Sequence, residues 1–116
     1  MKRYCLALDL KDDPQLIAEY EDHHKKVWPE ILKSIHDAGI IAMEIYRVGN
    51  RLFMIMDVET RYSPEAKQRA DATNQDVQAW NQLMDTLQQA LPFAEPGVNA
   101  GKWQQMECIY TLSAQP

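Results

Sequence analysis

Apolar and polar positions follow two rhythms along this chain, and the rhythm changes at clusters of Pro, Gly and Asp. From Lys2 to Leu10 the apolar residues alternate with others, the two-residue period of a strand, and Asp12-Asp13-Pro14 ends the run. Asp13 suits a helix N-cap, with Pro14 at the first helical position. Beyond it Leu16, Ile17, Tyr20, Val27, Trp28, Ile31, Leu32 and Ile35 recur every three or four residues and predict one apolar helix face. Pro29 predicts a kink or a restart after Trp28, and Gly39 closes the helical region. Ile40–Val48 and Leu52–Glu59 read as two strands joined at Gly49-Asn50, a good hairpin turn. After a loop over Thr60–Pro64, a second helical region covers Pro64–Ala90, in two pieces meeting near Thr73-Asn74. Its apolar stripe is Val77, Trp80, Leu83, Met84 and Leu87. Pro92–Lys102 reads as a loop, and Trp103–Leu112 as the last strand.

The order β-α-β-β-α-β predicts an α+β, ferredoxin-like domain, with one sheet carrying both helices on a single face. The stretch Leu52–Val58 is apolar on both sides, so the other face of the sheet must also be covered. Two copies placed sheet to sheet, a dimeric α+β barrel, are the simplest cover, and a homodimer is expected.

Length and composition narrow the function. The 116 residues, 46% hydrophobic, suit one domain spanning residues 1–116 and one core. A domain of this size buries roughly 65% of its unfolded surface, a modest margin that a second copy would widen. The net charge of −5 and the absence of any Lys/Arg run argue against a nucleic-acid partner. The densest basic patch, Lys25-Lys26, is neutralised by Glu21, Asp22 and Glu30. The first residues, MKRYCLALDLKDD, read as a strand rather than a signal peptide, and no stretch is long and apolar enough for a membrane span. The expected location is the cytoplasm, with Cys5 and Cys108 as buried thiols. Met43, Met54, Met56, Met84 and Met106 read mostly as core filler.

The segment Tyr20–Glu30 carries the most chemistry. Tyr20, His24 and Trp28 are four residues apart and so stack along one helix face, which also carries apolar residues and points at the sheet. A histidine there is either a general acid/base, its ordinary pKa near 6.5 suiting proton transfer at neutral pH, or a buried structural residue bonded to a carbonyl. His23, about 100° around the helix, reads as a surface or interface residue. Trp80 is either core filling or a platform for the apolar face of a sugar ring. The histidines and cysteines are too scattered for a metal site. With no GxSxG, no Gly-rich phosphate loop and no CxxC, an enzyme on this chain would work by proton transfer alone or borrow a cofactor.

Those residues carry a resemblance to the L-rhamnose mutarotase family over nearly the whole chain. It rests on Tyr20-x-x-x-His24-x-x-x-Trp28-Pro29-Glu30, Ile45-Tyr46 with Leu52-Phe53, Trp80 with Met84, and the closing Cys108-Ile109-Tyr110. The resemblance implies a dimeric α+β barrel with no metal and no cofactor, and a sugar pocket between helices and sheet. It implies that His24 is the proton donor, that Tyr20 contacts the sugar and that Trp80 helps form the pocket. Met43 stands where the family has a sugar-binding tyrosine on the second strand. Asn81 stands where it has a second tryptophan. Both departures fall in the pocket and point to a relative acting on L-fucose, also a 6-deoxy sugar.

Anomers of an aldopyranose interconvert through the open aldehyde, which needs proton movement and no redox step or covalent nucleophile. A cofactor-free monooxygenase on the same barrel would instead need a deep apolar pocket and oxygen. A non-enzymatic binding module would bind without turnover. The hydrogen-bonding trio Tyr20, His24 and Asn81 favours a sugar.

Overall fold

In the computed structural model, residues 2–94 and 103–115 are described. β1 (Lys2–Leu10) is the central strand of an antiparallel sheet. Along one edge it pairs with β3 (Arg51–Val58), in register from Lys2↔Val58 to Asp9↔Arg51. β3 in turn pairs with β2 (Ile40–Val48), with an irregularity between Ile40 and Ala42. Gly49 makes the turn between them at φ 58°, a left-handed conformation that glycine adopts without a Cβ penalty. The other edge of β1 is divided: β4 (Gln88–Gln89) pairs with Asp9 and Leu10, and β5 (Gln104–Gln105) pairs with Leu6 and Ala7. The strand order β2-β3-β1-β4 is that of the expected ferredoxin-like topology.

Four helices cover one face: α1 (Pro14–His23), α2 (Pro29–Asp37), α3 (Pro64–Ala72) and α4 (Gln75–Asp85). The Asp13 carboxylate accepts from the amides of Gln15 and Leu16 at 2.9 and 3.3 Å, the expected N-cap. Asn74 caps α4 in the same way, which fixes the expected break at Thr73-Asn74. The core between helices and sheet joins Leu10, Tyr20, Ile31, Leu52, Val77, Trp80, Met84 and Leu87. β3 buries alternate residues on this face: Leu52 in that cluster, and Met54, Met56 and Val58 in a second one with Ile40.

Several expectations are corrected. Of the two outcomes expected at Pro29, the restart is what forms, so the first helical region is two helices. Trp28 sits at φ −57°, ψ 137°, the extended conformation that a following proline imposes, and α2 restarts at Pro29. His24 therefore caps the end of α1 and Trp28 precedes α2, so Tyr20, His24 and Trp28 do not share one continuous helix face. The second region stops at Asp85 rather than Ala90. Leu87 is buried and its carbonyl accepts from the Lys11 amide at 2.9 Å, which draws the chain onto the sheet edge as β4. The final strand is Gln104–Gln105, not Trp103–Leu112. Its last ladder contact is the Met106 amide to the Cys5 carbonyl at 2.7 Å, and beyond it Ile109 is 91% exposed. Cys108 and Met106 are exposed and Cys5 is half-buried, so neither thiol is buried and Met106 fills no core. Of the expected Pro92–Lys102 loop, residues 95–102 lie outside the described residues. Among the described residues, no helix is long and apolar enough to cross a membrane.

Candidate active site

The site begins where α1 ends. Tyr20 is buried on the last turns of α1, and the His24 ring lies over it, centroids 4.3 Å apart and planes inclined by 34°. The His24 amide bonds back to the Glu21 carbonyl at 3.1 Å, which closes the helix and fixes the residue. Nδ1 of His24 is 2.8 Å from the Tyr20 carbonyl oxygen. A carbonyl only accepts, so this bond assigns the proton of the neutral ring to Nδ1 and leaves the lone pair on Nε2. Burial pushes the His24 pKa below its usual 6.5, the Tyr20 carbonyl opposes that, and neighbouring His23 adds to it. At neutral pH the ring is therefore an uncharged base with Nε2 available.

Trp80, one turn before Met84 on the buried stripe of α4, is the aromatic hub. Its ring stands edge-to-face to His24 at 5.6 Å and to Trp28 at 5.1 Å. So the structure does bring together the aromatic residues of the Tyr20–Trp28 segment, through Trp80 rather than along a helix. Burial raises the Tyr20 pKa to about 12, against the effect of a hydrogen bond with Gln88, so its hydroxyl stays protonated and can donate. His23 is half-buried, not a surface residue. Its ring stands 6.4 Å from Trp80, and its Nε2 is buried without a hydrogen-bond partner, 3.7 Å from a Glu19 carboxylate oxygen.

Tyr20, His24 and Trp80 line a cavity of about 1140 Å³ between the helices and the sheet, together with Met43 from β2 and Asn81 from α4. All five residues singled out in the sequence thus meet in one space. That volume exceeds the roughly 300–1,000 Å³ of ordinary small-molecule pockets. Sequence reasoning missed polar residues in its wall, among them Gln88, Lys67 and Asp71. Gln88 was hidden because the chain leaves the helix before it, a change no periodicity announces. Lys67 and Asp71 on α3 had a usable signal, opposite charges four residues apart on a helix with no apolar stripe. Among the described residues, no group of three or more His, Cys, Asp or Glu is placed to hold a metal ion.

Comparison with known proteins agrees with this architecture. The L-rhamnose mutarotase family profile matches residues 3–112. An L-fucose mutarotase from Xanthomonas campestris is 46% identical over 115 residues, covering 97% of this chain and 90% of that protein. An L-rhamnose mutarotase from Acidiphilium cryptum is 29% identical over 93 residues, covering 78% of this chain and 89% of that one. The crystal structure of an L-rhamnose mutarotase from Formosa agariphila superposes with a TM-score of 0.70 at 20% identity, over 97% of this chain and 99% of that chain. The last likeness establishes the fold, and the profile and the relatives establish descent: this chain belongs to the L-rhamnose mutarotase family.

Proposed function

We propose that this chain interconverts the α and β anomers of a free 6-deoxy-L-sugar, with L-fucose preferred over L-rhamnose. His24 carries the reading: a neutral imidazole, held by its Nδ1 proton on the Tyr20 carbonyl, lines a cavity with Nε2 uncommitted. Nε2 takes the proton from the anomeric hydroxyl as the bond from C1 to the ring oxygen breaks. The imidazolium so formed returns that proton to the ring oxygen, so the net transfer is from one sugar oxygen to the other and the enzyme is unchanged. Rotation about C1–C2 turns the other face of the aldehyde, and the reverse transfer closes the ring. Help of this kind is worth roughly 100- to 10,000-fold, which suits a reaction that already proceeds slowly unaided. Tyr20 donates a hydrogen bond from its hydroxyl to a sugar oxygen while keeping its proton, and Trp80 offers an apolar platform. No step requires a cofactor.

The preference for L-fucose is supported by the 46% identical relative of that name and by Met43 and Asn81 in the cavity wall. The working form is a homodimer. On the face away from the helices, Ala7, Phe53, Tyr46 and Val48 border an apolar groove, and Tyr46 and Val48 are 52% and 78% exposed. A second copy of the same face would cover them. Two free thiols, Cys5 and Cys108, accord with the reducing cytoplasm.

Saturation-transfer NMR on a panel of free sugars tests the reading directly. Exchange between anomeric signals of L-fucose, faster than that of L-rhamnose at equal enzyme, is the expected result. Exchange no faster than in buffer for any 6-deoxy sugar would remove it.

A further inference from the structure

The cavity wall carries a second polar group, an ion pair on α3. Lys67 Nζ lies 2.9 and 2.8 Å from the two carboxylate oxygens of Asp71, and both residues line the cavity. Their side chains keep only 18% and 23% of their surface in water, whereas each other described ion pair has at least one partner more exposed. Sheltering two charges is costly, and a bond between i and i+4 on one helix returns only a few tenths of a kcal/mol. α3 has no buried residue that would explain the placement by packing. The pair is also tied to the sugar-facing side of α4. Gln78 donates its side-chain amide to the Asp71 carbonyl at 2.9 Å, and Gln78 lies one turn before Asn81.

From this juxtaposition we propose that Lys67 and Asp71 form a hydroxyl-binding pair that reads the sugar at the end remote from its anomeric carbon. An ammonium has three donors and a carboxylate about four acceptor sites, so the pair keeps capacity after binding itself. A vicinal diol fits such a pair, one hydroxyl donating to Asp71 and its neighbour accepting from Lys67. L-fucose and L-rhamnose differ in the orientation of the hydroxyls at C2, beside the anomeric carbon, and at C4, remote from it, so a fixed donor beside a fixed acceptor at the C3–C4 diol discriminates between them by the second difference. The pair then sets specificity without touching the proton that His24 moves. This rests on the sugar reading of the cavity.

The test swaps the two residues, Lys67→Asp with Asp71→Lys. The swap keeps an ion pair on α3 but exchanges donor and acceptor. Binding of 1,5-anhydro-L-fucitol, which keeps the ring hydroxyls but has no anomeric hydroxyl, is measured by saturation-difference NMR and titration. Affinity should fall about tenfold or more, with the melting temperature nearly unchanged. Should the swap unfold the chain, Asp71→Asn alone, which is nearly isosteric, should show the same loss. Wild-type affinity in the folded variant would overturn the proposal and leave a helix brace. So would retained affinity with lost anomer exchange, because that would place the pair in the chemistry. Binding of the anhydro sugar by a wild-type protein that exchanges no anomers would sink the mutarotase reading and leave this one standing.

Discussion

The two faces of the sheet are made from alternate residues of the same strands, yet they carry different kinds of surface. Toward the helices, Leu8, Leu10, Leu52 and Val58 are 0–1% exposed, and the cavity bordered by Met43, Met54 and Met56 on the sheet is lined by His24 and Tyr20 on the helix side. On the opposite face Phe53 and Ile55 remain half-buried, Tyr46 and Val48 are open, and Arg3 and Asp57 form an ion pair at 2.8 Å. One face is closed within the chain and chemically furnished; the other is apolar at its centre, charged at its end and open. The difference teaches that the two-residue period of a strand can give one sheet a closed, cavity-bearing face and an open apolar one, the faces to which we assign the site and the assembly.

If the closed face holds both core and site, its hub should matter most. Trp80→Ala removes the ring that His24 and Trp28 pack against and should cost about 3–5 kcal/mol of stability by denaturant unfolding, with loss of activity. A smaller loss would mean that the cavity collapses around the gap.

The open face should respond in the opposite way. Ile55→Asp should convert a dimer into a monomer of 13.4 kDa by light scattering, while each chain keeps its fold. A wild-type chain that is already monomeric at micromolar concentration would contradict the assembly half of the comparison.

Within the closed face, Met43→Tyr with Asn81→Trp should move specificity toward L-rhamnose by about 10- to 100-fold in the ratio of exchange rates. An unchanged ratio would place the discrimination elsewhere in the wall.

The smallest effect is that of pH. The folded pKa of His24 is lowered, so the basic ring persists below the usual 6.5, and exchange should decline only as pH falls through that lowered value. The sign for stability follows: between the unfolded value of 6.5 and the lowered folded value, the unfolded chain binds more protons, so stability falls as pH falls across that interval. A rate that rises on acidification there would argue against Nε2 as the base.

Much of this was legible in the sequence because it depends on local rules. Strand alternation, the Asp13 cap and the Gly49-Asn50 turn are set by neighbouring residues, and the structure matches them. What escaped depends on distant partners. The Trp103–Leu112 segment has a strand-like composition, but it pairs with β1 only at Gln104–Gln105 and leaves that edge once the Met106 amide has met the Cys5 carbonyl. His23 was assigned to the surface or an interface from a helical angle, whereas the end of α1 at that point half-buries it and brings its ring near Trp80. Tyr20, His24, Met43, Trp80 and Asn81 border one cavity, although the continuous helix stripe that suggested Tyr20 and His24 is broken after His24.

The central claim is that His24 moves the proton in anomer exchange, and one measurement reaches it directly: the enzyme-catalysed exchange rate of L-fucose for His24→Ala beside His23→Ala, each shown to be folded by circular dichroism. The account predicts that His24→Ala loses two or more powers of ten, about the full worth of general acid/base catalysis, while His23→Ala keeps most of its rate. A folded His24→Ala protein exchanging at close to the wild-type rate would contradict it and leave His24 as a structural histidine bonded to the Tyr20 carbonyl.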